Sequence, residues 1–82
     1  MKKLSEQIII DAINKATCEK EINMDLEFVD SLEVISVLIS IKDSADKIED
    51  GFGKEIDEIR ELNTVKTPRQ IIDILKTKGL VE

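Results

Sequence analysis

Asp30-Ser31-Leu32-Glu33-Val34-Ile35 opens the stretch that decides the fold. Asp30 belongs to the residue types whose side chains accept a hydrogen bond from a first-turn helix amide, and Glu33, three positions on, is spaced to reach back to the Asp30 amide. The pair predicts a capping box with Ser31 as the first helical residue. Downstream, Val34, Ile35, Leu38, Ile41, Ala45 and Ile48 recur at spacings of one, three and four, which makes one continuous apolar side. This pattern predicts a long helix over residues 31–49 with those six side chains facing a core. Gly51 and Gly53 are expected to terminate it, since Gly51-Phe52-Gly53 offers positive-φ positions and little helix propensity.

Working outward, Leu4, Ile8, Ile9, Ala12, Ile13 and Ala16 follow helical spacing with charged residues between them, so a first helix is expected over residues 3–17. Residues 18–29 hold no sustained period and carry four acids against one base, the composition of a long acidic loop. Ile22, Leu26 and Phe28 are the side chains expected to pin that loop to the core. Ile56, Ile59 and Leu62 suggest a short third helix over residues 56–62. Thr67-Pro68-Arg69-Gln70 is a helix start: Thr as N-cap, Pro at N1 where its missing N–H costs nothing, and Gln at N3. The fourth helix then carries Ile71, Ile72 and Leu75 inward and stops near Gly79. No alternating run supports a sheet and no segment is long and apolar enough to span a membrane. The expected fold class is all-α, a four-helix bundle forming a single domain over residues 1–82, with a long first loop and a short third helix.

Composition narrows the function. The 82 residues include 18 Asp+Glu against 12 Lys+Arg, a formal net charge of -6, so a phosphate backbone is repelled and nucleic acid is not an expected partner. With no histidine and one cysteine, the usual general base, Cys/His metal cages and His-dependent nucleophilic triads are all missing. The chain reads as a non-enzyme. Cys18 has no partner for an internal disulfide, a lone cysteine is most often at least half-buried, and it is assigned no role. The opening residues break into charge before any signal-peptide stretch forms, so the expected location is cytoplasmic. Asp46, Glu49, Asp50, Asp57 and Glu58 do not follow calcium-loop spacing, because Ile48 stands where a ligand is needed. They read as a solvated helix end.

The order of these parts, from the acidic loop through Asp30-Ser31-Leu32 to Phe52-Gly53-Lys54-Glu55-Ile56 and Thr64-Val65-Lys66-Thr67-Pro68, resembles the acyl carrier protein family, including its peptidyl and D-alanyl carrier relatives. The resemblance covers nearly the whole chain, while its local motif is only three residues long. It implies that Ser31 is the attachment site of 4'-phosphopantetheine, derived from coenzyme A, with Asp30 and Leu32 as the flanking motif residues. It further implies partners with basic docking patches: a phosphopantetheinyl transferase, and acyl-loading and acyl-processing enzymes. By the same resemblance they would meet the second helix through Glu33, Ser36, Ile39 and Asp43. Ser36, Ser40 and Lys42 dilute the acidity of that face, which points to a specialised pathway.

Two departures from the family are visible. Glu27-Phe28-Val29 stands where the family often has a glycine, and about seven extra residues separate Ser31 from Phe52, roughly two helical turns. Because seven residues nearly preserve the apolar face, a longer second helix is preferred to a separate one. The expected function is a free-standing, monomeric carrier that holds acyl intermediates as thioesters for fatty-acid or polyketide- or peptide-like biosynthesis, with no stable membrane insertion. The alternative is an unmodified acidic helical adaptor or regulatory module.

Overall fold

The computed structural model describes residues 3–82. Four α-helices follow in order, α1 (Glu6–Thr17), α2 (Ser31–Ile48), α3 (Phe52–Asp57) and α4 (Pro68–Thr77), with a 3₁₀ helix (Arg60–Thr64) between α3 and α4. There is no strand among the described residues, so the chain is all-α. None of these helices is long and apolar enough to cross a membrane.

Three of the four α-helices, α1, α2 and α4, start at a capping side chain. Ser5 caps α1 by accepting from the Ile8 amide at 3.1 Å, which is why α1 begins at Glu6 and not at Lys3 as the apolar period alone suggested. Asp30 caps α2 through the Glu33 amide at 2.9 Å, and Thr67 caps α4 through the Gln70 amide at 3.3 Å. The reciprocal half of each capping box is shifted by one residue. The Glu33 carboxylate accepts from the Val29 amide and the Gln70 side chain from the Lys66 amide, each one position before the expected donor. In both cases the extended cap residue turns the preceding amide toward the helix.

The core is aliphatic around one aromatic. Leu4, Ile9, Ile13, Val37, Ile41, Phe52, Ile56, Ile71 and Leu75 are its fully buried large side chains. Helix α2 is continuous over 18 residues and packs on α1 and α3, while α4 closes against α1 and the 3₁₀ helix. Its buried set differs from the expected stripe: Val37 joins Leu38, Ile41 and Ala45, whereas Ile35 and Ile48 are 53% and 46% exposed. At 100° per residue Val37 stands about 40° from Ile41, but Ile35 stands about 120° away, outside the face α1 and α3 cover. Ile48 is the last residue of the helix.

The two glycines after α2 do different work. Gly51, at φ +87°, supplies the left-handed residue that reverses the chain. Gly53 does not terminate anything: it lies buried inside α3, and its amide donates to Asp46 Oδ1 at 2.7 Å. A Cβ there would sit 2.7 Å from both Asp46 Oδ2 and the Lys42 carbonyl. Helix α3 therefore starts at Phe52, four residues before the expected start, and ends at Asp57, leaving Leu62 to the 3₁₀ helix. Lys42 adds an ion pair to Asp57 at 2.6 Å across the same seam.

Gly53→Ala is expected to destabilise the fold by about 1–3 kcal/mol, because the clash is with a backbone carbonyl that cannot rotate away. Gly51→Ala, whose Cβ meets nothing within 4 Å, is expected to lose about 1 kcal/mol through its positive φ alone. Urea unfolding of both variants checks the order.

Candidate functional site at the start of α2

Loop residues 18–30 deliver the chain to Asp30, and the loop is held at four points. The Ile22 amide donates to Asn14 Oδ1 at 3.0 Å, and the Met24 carbonyl accepts from the Arg69 amide at 3.0 Å. The Asp25 carboxylate pairs with Arg69 at 2.6 Å, and the Phe28 amide donates to the Lys66 carbonyl at 2.7 Å. Ile22 and Phe28 pack on the core as expected, but Leu26 does not: it is 66% exposed, because the loop is fixed by polar bonds at Met24 and Asp25 that leave the next side chain outward. Cys18 is likewise exposed, in the left-handed conformation that ends α1.

Ser31 is the first residue of α2, exposed, and its hydroxyl makes no hydrogen bond to any described residue. Asp30 satisfies the Glu33 amide, so the amides of Ser31 and Leu32 remain among the orphan donors at this helix end. Together with the macrodipole they favour negative charge at the start of α2. Leu32 is 70% exposed.

Beside Ser31 lies a groove of about 640 Å³. Val34, Ile35 and Leu38 of α2 form one wall, and Phe28 with Val65 the apolar side opposite. Asn63, Thr64 and Lys66 complete the rim. None of these last three was marked by the sequence as belonging to the site; the Phe28–Lys66 backbone bond brings them there, and a bond between residues 38 apart leaves no local signal. Ile35, read from the sequence as core, is in fact groove wall. Next to the groove, between α2, α3 and the 3₁₀ helix, lies a space of about 10 Å³, at the limit of what holds one water.

The four residues expected to meet partners do not form one surface. Three of them, Ser36, Ile39 and Asp43, line up with the motif residue Leu32 along the outer side of α2 at spacings of three and four. Glu33 is turned about 100° away, half-buried, and its carboxylate is engaged by the Val29 amide. Lys15 and Lys47 border the same hollow as Ser36, Ile39 and Asp43, so the charge of that strip is balanced. Among the described residues there is no group of acidic, His or Cys side chains arranged to hold a metal.

Comparison of the chain with protein-family models, with curated proteins and with solved structures finds no match.

Two exposed carboxyls are shifted. The hydrogen bond from Arg69 holds Asp25 below the ordinary carboxylate value, and the hydrogen bond from Lys78 does the same for Glu61. A carboxyl whose folded pKa is depressed adds stability above its unfolded pKa and loses it as pH falls through the folded value. Asp25→Asn is therefore expected to flatten the fall in stability below about pH 4, with little change in its slope above pH 6, read by urea unfolding across pH. Asp30→Ala is expected to cost about 1 kcal/mol through loss of the α2 cap, measured the same way at neutral pH.

Proposed function

We propose that the protein is a carrier of the acyl carrier type, a substrate of other enzymes, in which Ser31 bears 4'-phosphopantetheine. The observation that carries this reading is the combination at one helix end: an exposed, unengaged Ser31 hydroxyl, orphan amides beside it, and a part-apolar groove running from it. The Asp30-Ser31-Leu32 motif and the order of helices support it from the sequence.

The Ser31 hydroxyl is hydrogen-bonded to no carboxylate or amine among the described residues, and the neighbouring Asp30 carboxylate is engaged by the Glu33 amide, so the deprotonating group and any metal belong to a separate transferase. In the transfer, Ser31 Oγ forms a bond to the pantetheine-side phosphorus of coenzyme A. The pyrophosphate bond breaks, adenosine 3',5'-bisphosphate leaves, and the serine proton passes to the transferase's base. The thiol at the far end of the arm supplies the thioester chemistry. This chain's residues hold and orient: the amides at the start of α2 balance the phosphodiester's charge, and Phe28, Val34, Ile35 and Val65 offer apolar surface along the groove. Asp30 fixes the direction of the first turn, and hence of Ser31, through its bond to the Glu33 amide.

Incubation with coenzyme A, Mg²⁺ and a broad-specificity phosphopantetheinyl transferase is expected to add the mass of one phosphopantetheine to the wild type and none to Ser31→Ala, by intact-mass spectrometry. Circular dichroism on both proteins separates loss of the hydroxyl from loss of fold. No gain by the folded wild type with several transferases would replace this reading with an unmodified acidic adaptor.

A further inference from the structure

Leu26 and Val29 are 66% and 83% exposed, and with Leu32 they place the three most exposed of the large apolar side chains among the described residues at successive intervals of three positions along the chain, around Ser31. They are not loosely held. Three loop tethers just before Leu26, at Ile22, Met24 and Asp25, and a fourth at Phe28, between Leu26 and Val29, fix the backbone that carries them, so this surface is ordered before anything binds to it. Leu26 and Val29 border a pocket of about 260 Å³ floored by Ile22, Phe28 and Pro68. Its charged lining is Glu19, Glu21, Glu27 and Glu33, and no cationic side chain contributes to it. The nearest arginine of the loop's tethers, Arg69, is neutralised by Asp25. The outer strip of α2 is different: there Asp43 and Asp46 share their hollow with Lys15 and Lys47.

We infer that the transferase acting on Ser31 docks across the loop before α2, through a basic amphipathic element that sets an apolar side chain against Leu26 and Val29 and a Lys or Arg among the four glutamates. A Lys or Arg side chain matches such a pocket in both of its parts, an apolar stem for the floor and a cationic head for the rim. Charge complementarity at a rim raises the rate of encounter and is screened by salt, whereas the apolar contact is not. The loop side of Ser31 is therefore the anchoring side, and the charge-balanced strip along α2 is secondary. This inference rests on the carrier reading of Ser31.

Steady-state transfer with a broad-specificity phosphopantetheinyl transferase tests it. Leu26→Ser/Val29→Ser is expected to raise KM for the carrier about tenfold while kcat stays within twofold, and Ile48→Ser, at the far end of α2, to leave both unchanged. Glu19→Gln/Glu21→Gln is expected to raise KM about threefold at low salt and to match the wild type at high salt. Unchanged KM in the loop variants, shown folded by circular dichroism, would overturn the inference. So would a rise in KM confined to Ile39→Ser/Asp43→Asn, which would put docking along α2, or a wild-type dimer in gel filtration that the Leu26→Ser/Val29→Ser pair makes monomeric, which would make a second copy the occupant. If the wild type gains no mass at all, the carrier reading has failed and this inference falls with it; retained transfer with unchanged KM refutes the docking site alone.

Discussion

The close approach of α3 to α2 at Gly53 is the constraint on which the rest of the bundle depends. Helix α2 runs 18 residues, and its last turns need a partner if the chain is to return Phe52 and Ile56 to the core. That partner is supplied with almost no separation: the Gly53 amide meets Asp46 Oδ1 and leaves no room for a Cβ against the Lys42 carbonyl. An exposed carboxylate would ordinarily stay in water. Here it answers the amide of α3's second residue, one of the helix-start donors that no intrahelical acceptor reaches. With α3 fixed, Phe52 and Ile56 are fully buried, the 3₁₀ helix follows, and Val65 and Lys66 arrive opposite Ser31 to close the groove.

Much of this was legible in the residues. The caps Asp30 and Thr67, the inward positions Ile9, Ile13, Leu38, Ile41, Ile71, Ile72 and Leu75, and the continuity of α2 all follow from side-chain chemistry and period acting within a few positions. What was misread depends on distance in the chain. Gly53 carries the sequence signature of a stop, and only the carbonyl of Lys42, eleven residues earlier, makes it a contact residue. Leu26 resembles a loop anchor, but Met24 and Asp25 are held by Arg69, 44 or 45 residues away, and that fixes Leu26 outward. Ile35 satisfies an apolar stripe that is slightly wider than the face α1 and α3 cover.

The candidate site shows the same division. Asp30, Ser31 and Leu32 form a local motif and appear together at the start of α2. The groove's far wall comes from residues 63–66 and was invisible locally. Glu33 was grouped with Ser36, Ile39 and Asp43 by nearness in sequence, yet helical rotation and the Val29 amide take it to the other side of Ser31. The surface around that serine is thus divided in two, with uncompensated acid toward the loop and balanced charge along the helix.

Leu4 has a consequence of another kind. It is fully buried, and its backbone is clasped on both sides by the other end of the chain: its amide donates to the Leu80 carbonyl at 2.7 Å and its carbonyl accepts from the Glu82 amide at 2.9 Å, in a parallel bridge with Val81. No other pairing among the described residues joins points so far apart in sequence. Loop closure over nearly the full chain gains nothing until α1 and α4 already stand side by side, so the clasp belongs to the last events of folding. Being last to form, it is also the natural place for opening to begin, and amide exchange at Leu4 and Glu82 reports the bundle's first departure from the native state.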